Sequence, residues 1–287
     1  ILYDMILSQV VNEYVFHYLF FYLTLKTHSI YSWPYNNYIL FYFFLNIFLS
    51  NLFKKKTFNL NMNNSAVKRI INKDFKEIEN INLNANGIFI DFNEENILEA
   101  NAMIIGPKDS IYEGAFLFFN IIFPKNYPFS PPTVKYLSQN KVRIHPNIYV
   151  NGKVCLSILG TWSGPKWTSI MDITTVLITI QSLLDNNPIR HEPGQEKNVS
   201  KMNTDYNTII EYNTFHSLIK NRYLQDLGNF EIFKSHMDEY LKNNFKVILK
   251  KIETNKEKYK DIINIQLSFY RINLNINFSK LFIDFKQ

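Results

Sequence analysis

Apolar side chains recur every three or four positions at Val67, Ile70, Ile71, Phe75 and Ile78, behind Asn64 and Ser65. That period predicts a helix over 66–80, with Asn64 or Ser65 as its cap. The period then shortens. Segments 87–92, 97–105, 115–123 and 133–137 read as four strands, with Gly106-Pro107 and Glu113-Gly114 as hairpin punctuation. Residues 138–165 lack a period, and a loop of that length inside a compact domain is usually functional. Residues 169–184 are apolar nearly all round, as expected of a buried helix. Two further helical patterns cover 206–227 and 230–253. Residues 272–278 alternate apolar side chains with Asn, which fits a strand or a compositionally biased tail. The order predicts an α+β fold: an N-terminal helix, a four-stranded antiparallel meander sheet, a long loop and C-terminal helices.

Composition divides the chain. Residues 1–60 hold no Gly, Ala or Arg, and 42 of them are Phe, Tyr, Ile, Leu, Asn or Lys. These are the residues that AT-rich codons supply. Nine of the ten Pro and six of the eight Gly fall between Gly106 and Gly194, so defined turns concentrate in the middle. Three parts are expected: an apolar segment 1–61, a folded domain 62–228 and a helical C-terminal extension 229–287. Apolar runs at 14–25 and 38–53, the second followed by Lys54-Lys55-Lys56, are shorter than the roughly 20 residues a spanning helix needs. Two readings of the first segment stand: translated sequence outside the working protein, favoured by its composition, and a membrane anchor over 14–53.

Net charge is +6 in 287 residues, without a dense Lys/Arg stripe. Nucleic acid is therefore not an expected partner. A single cysteine excludes an internal disulfide framework and a cysteine-based zinc site, and suits a reducing compartment such as cytoplasm or nucleus. The six His are scattered singly, and neither a metal nor an organic cofactor is expected.

That cysteine lies in His145-Pro146-Asn147-Ile148-Tyr149-Val150-Asn151-Gly152-Lys153-Val154-Cys155. A lone Cys is ordinarily a small buried hydrophobe. Here the segment resembles the active-site region of ubiquitin-conjugating enzymes, in which a cysteine follows the Asn of an HPN tripeptide by eight residues. Gly106-Pro107 with Tyr112-Glu113-Gly114 resembles the family's GP…YxGG turn, Ala115 replacing the second Gly. Phe123-Pro124-Lys125-Asn126-Tyr127-Pro128-Phe129-Ser130-Pro131-Pro132 resembles its FPxxYPxxPP loop. The likeness covers about residues 65–195. The long stretch between Cys155 and Trp167, and the helices past 200, resemble the family's large, extended members.

The resemblance implies an enzyme that takes ubiquitin or a ubiquitin-like protein from an activating enzyme as a thioester on Cys155. It then passes the modifier to lysine, with help from a ubiquitin ligase. ATP is consumed by the activating enzyme. Asn147 is implied as an oxyanion donor, a loop brace, or both. His145 is implied to shape the loop, since transfer between thioesters is nearly energy-neutral and needs no strong base. The acid usual after the second helix is not evident, leaving His191 or Glu192 to position the lysine, or neither if the loop is only solvated. Phe129 is implied to face a ligase, and Lys68, Arg69 and Lys73 to face the activating enzyme. Thr168-Ser169-Ile170 departs from the family's Ser-Pro-Ala, so the choice of ligase stays open. The rival readings are a non-catalytic module of the same fold and a membrane-anchored scaffold.

Overall fold

The computed structural model describes residues 64–197 and 200–287. The two early apolar runs, and the anchor reading that rests on them, lie outside the described residues. Among the described residues no helix is long and apolar enough to cross a membrane.

The first helix, α1, covers residues 65–81. Asn64 is its cap, the side-chain Oδ1 accepting the Ala66 N–H at 2.8 Å. A π-helical turn, Ile70–Asp74, separates the α-helical turns Ser65–Arg69 and Phe75–Ile81. This widening re-aims the inward stripe. Ala66, Val67, Ile70 and Asp74 are buried, whereas Ile71, Phe75 and Ile78, expected on the apolar face, are only half-covered. The buried Asp74 accepts hydrogen bonds from the Tyr127 hydroxyl at 2.6 Å and the Ile173 N–H at 3.3 Å. Arg69 stands 3.6 Å away. Burial pushes the Asp74 carboxyl up, and the Tyr127 hydroxyl and Arg69 charge pull it the other way. This carboxylate joins α1, the Pro-rich loop and the start of the next helix. Tyr127→Phe should therefore cost about 1–3 kcal/mol in urea unfolding, because it strips a donor from a buried acceptor. An unchanged midpoint would remove the Tyr127–Asp74 bond from the forces holding these parts together.

Strands β1 (Ile88–Phe92), β2 (Glu99–Ile105), β3 (Phe116–Ile122) and β4 (Thr133–Tyr136) pair in sequence order, all antiparallel. The meander is the expected one, with each strand within two residues of its expected limits. Gly106 is required where it stands, since a Cβ there would lie 1.8 Å from the Tyr112 carbonyl oxygen.

Helix α2 (Ile173–Ser182) starts later than its apolar pattern suggests. The Asp172 side chain accepts the Thr175 N–H at 3.0 Å and so sets the first turn. Ile170, expected inside a buried helix, is left outside it and is 76% exposed. Helix α3 covers residues 201–224, with a π-helical stretch Thr214–Asn221. Helix α4 (Lys234–Lys258) follows a 3-10 segment, Gly228–Phe233.

Register puts Phe89, Met103, Phe116 and Phe118 on one sheet face. Phe230 stacks on Phe118 at 4.6 Å, His236 on Phe89 at 4.2 Å, and Tyr240 meets Phe116 edge-on at 6.1 Å. No break in packing therefore falls at Gly228. The segment beyond it is also not all helical. Ile263–Leu267 (β5) and Ile272–Ile276 (β6) form an antiparallel hairpin before α5 (Phe278–Lys286). The Asn side chains that alternate along it bond across the pair: Asn264 donates to Asn273 at 2.9 Å and Asn275 at 2.7 Å.

Candidate active site

Residues 145–155 form a folded-back turn docked beside β4. The Tyr136 N–H bonds the Gly152 carbonyl at 2.8 Å, and Lys135 bridges Lys153. Gly152 has φ +92°, and a Cβ there would stand 2.7 Å from Lys135 Cγ and 2.8 Å from the Tyr136 oxygen. Only glycine fits both the backbone conformation and the close approach.

This docking holds Asn147 against Cys155. The Cys155 N–H donates to the Asn147 carbonyl at 2.8 Å, and Asn147 Nδ2 donates to the Cys155 carbonyl at 2.8 Å. Asn147 is 6% exposed and its Oδ1 is buried without a partner; Cys155 is 1% exposed. Thr161 grips the backbone on either side of the cysteine. Its hydroxyl accepts the Leu156 N–H at 2.9 Å and donates to the Val154 carbonyl at 2.7 Å. Thr161→Val should lower stability by about 1 kcal/mol in thermal unfolding, and Thr161→Ser should keep it. Equal losses in the two variants would mean that the methyl group, not the hydroxyl, matters.

His145 is fully buried and its Nδ1 accepts the Asn147 N–H at 3.0 Å. Burial, followed by the neighbouring His191, pushes its pKa down to about 3. The ring is thus neutral at pH 7 and spends its acceptor on the loop backbone. His191 lies beside it, ring centroids 4.9 Å apart, with Nε2 2.9 Å from Asp185 Oδ2. Burial raises the Asp185 carboxyl, but bonds from His191 and the Asn187 N–H outweigh it and hold the group below its ordinary value. Asp185 is an acid near this loop that the sequence reading missed. It directly follows the expected second helix, 169–184.

Glu192 turns away from that cluster. It accepts the Tyr270 hydroxyl at 2.6 Å and lies 3.8 Å from Arg143. The Arg143 guanidinium sits 3.8 Å over the Tyr149 ring and 4.6 Å from the Tyr270 ring. Glu192, considered for lysine positioning, is therefore committed to tying the β5–β6 connection to the cysteine loop. Arg143 and Tyr270 were not found from sequence, because they lie more than a hundred residues apart and follow no period.

The expected basic face of α1 is partly spent. Arg69 Nη2 bonds the Met171 carbonyl at 2.8 Å and Lys73 Nζ the Ile170 carbonyl at 3.0 Å, while Lys68 stays exposed. Phe129 is 76% exposed. Trp167 Nε1 donates to the Pro128 carbonyl at 2.6 Å, so the stretch carrying Ile170 is tied to the loop carrying Phe129.

The family model of the ubiquitin-conjugating enzymes matches residues 70–215, half of the chain. The chain belongs to the ubiquitin-conjugating enzyme family. Within it, the chain is similar to ubiquitin-conjugating enzyme E2 Z of Xenopus tropicalis, with 44% identity over 131 residues, 45% of this chain and 42% of the relative. The human E2 Z is likewise 44% identical over 45% of this chain and 37% of its own length. A probable ubiquitin-conjugating enzyme, protein 17, of Caenorhabditis elegans is 33% identical over 203 residues, 65% of this chain and 28% of the relative. The matched part is thus about two fifths of the length of the E2 Z relatives.

Proposed function

We propose that the chain accepts ubiquitin, or a ubiquitin-like protein, from an activating enzyme as a thioester on Cys155 and transfers it to a substrate lysine. The observation that carries this reading is the paired bonding of Cys155 and Asn147 inside the HPN turn of a family member. In the first step the Cys155 thiolate attacks the thioester carbonyl and the activating enzyme's thiolate leaves. In the second a lysine amine attacks, the amine gives up a proton, the isopeptide bond forms and the Cys155 thiolate leaves. A free thiol is already a few per cent thiolate at pH 7, so the neutral His145 is not needed as base. With Glu192 engaged elsewhere, the His191–Asp185 pair is the better candidate to orient the amine. Phe129 and Ile170, exposed on loops tied by Trp167, suit a ligase, and Lys68 and Lys76 are exposed cations of α1 that suit the activating enzyme.

The test is incubation with activating enzyme, ATP and modifier. We expect an adduct that disappears on adding reductant. If neither ubiquitin nor any ubiquitin-like protein gives one, the reading fails.

A further inference from the structure

A second polar site lies on the far side of the Asn151–Gly152 turn from the family motifs. It is an open groove of about 520 Å³ between the end of β4, the tip of the cysteine loop and the end of α3. Its lining includes Lys135, Tyr136, Asn151, Arg222, Asn120 and Gln225, and holds no Asp or Glu.

Arg222 is the unusual member. It is 3% exposed, yet no carboxylate pairs with it among the described residues. Its Nη2 donates to the Leu137 carbonyl at 2.7 Å and its guanidinium lies 4.7 Å from the Phe118 ring, but Nε has no partner. The adjoining Tyr136 hydroxyl is buried against this guanidinium, an uncharged oxygen facing the cation without neutralising it. Burying a guanidinium without an anion is costly, because a carbonyl, a neutral hydroxyl and a ring replace only part of its hydration and leave its charge unpaired.

Lys135 adds a second cation. Its stem lies across Gly152, where even a methyl group would meet Cγ at 2.7 Å, and the residue is exposed. The nearest acid in sequence, Asp226, accepts the Gly228 N–H at 2.9 Å. Asn120 donates one amide hydrogen to Asn101, and Gln225 accepts from Gln139. Each keeps amide groups that could pair with an extended main chain.

We infer that this groove binds a carboxylate-bearing, acidic segment of a partner protein, one acid side chain meeting Arg222 and Lys135 and the backbone running along the side-chain amides. The groove is open along its length, which suits a peptide rather than an enclosed small anion. It begins at Asn151, four residues before Cys155, so a protein held there would lie beside the cysteine loop.

The test needs no activating enzyme, so its failure would leave the thioester reading standing. A fluorescent hexapeptide of Glu and Asp is titrated into the full chain and read by anisotropy, beside its Gln/Asn counterpart. We expect the acidic peptide to bind, the neutral one not, and affinity to fall as salt rises. Lys135→Glu, at an exposed position, should weaken binding on the order of tenfold, with an unchanged melting temperature as the fold control. Arg222→Met should abolish binding if the variant folds. Equal binding of both peptides, or unchanged affinity in Lys135→Glu, would overturn the inference. So would inorganic phosphate binding as tightly as the peptide and displacing it, since the site would then serve a free anion.

Discussion

Replacing Cys155 should abolish the reductant-sensitive adduct altogether. The chain has one cysteine, so no second thiol can supply a background. Cys155→Ala should give no adduct of either kind. Cys155→Ser leaves an oxygen nucleophile at the same backbone position, and any ester it forms should resist reductant. The two variants therefore separate loss of the nucleophile from loss of the fold. Because Cys155 is buried, a serine hydroxyl there costs about 1–3 kcal/mol if it finds no partner, so thermal melting accompanies both assays. An alanine variant that melts like wild type and charges like wild type would place the chemistry on another residue.

Much of the architecture was legible because it follows short periods. The four strands alternate or run apolar between turn residues, and their observed limits fall close to the expected ones. Gly106 and Gly152 stand where only glycine fits, and Gly106 was visible as punctuation. The errors occur where a single polar contact overrides a period. Asp172 caps α2 and puts Ile170 outside it, although Ile170 continues the apolar spacing. In α1 the place four residues after Ile70 faces inward but is held by a polar residue, Asp74, which an apolar pattern passes over, and the π-helical turn leaves Ile71, Phe75 and Ile78 half-covered. The β5–β6 hairpin was half seen, through β6, because its partner strand lacks a tight-turn signature.

The candidate site divides in the same way. Cys155, Asn147 and His145 lie in one contiguous motif, and the structure gathers them within a single turn. Thr161 was missed because its role, bonding both neighbours of the cysteine, depends on how the following loop folds back. Glu192 was considered for positioning the lysine, and in the structure it is engaged by other groups. Its partners Arg143 and Tyr270 approach from distant parts of the chain, and sequence spacing carries no trace of that meeting. Asp185 illustrates a positional error. The role was assigned to His191 or Glu192, whereas Asp185, which holds His191, directly follows the expected second helix.

Asn147→Ala should leave charging of Cys155 largely intact and slow discharge to lysine by about 10²–10³-fold, the usual cost of losing one oxyanion donor. The amide's two hydrogens have separate uses. One donates to the Cys155 carbonyl, which braces the loop and holds the side chain over the cysteine. An amide nitrogen carries a second hydrogen, available to the oxygen that becomes negative when lysine attacks the thioester. The Oδ1 atom is buried without a partner, so no bond through it rotates the amide away from this position. Charging involves a thiolate attacking a thioester whose own activating enzyme can stabilise the charge, whereas discharge depends on groups around Cys155. An Asn147 that acted only as a brace would behave differently. Its loss would disturb the position of Cys155 in both steps, lowering charging and discharge together and shifting the unfolding midpoint. Single-turnover discharge of pre-charged enzyme to free lysine, measured beside charging rates and urea unfolding, separates the outcomes. Discharge equal to wild type would remove Asn147 from the chemistry, and parallel losses in both steps would assign it to the brace alone.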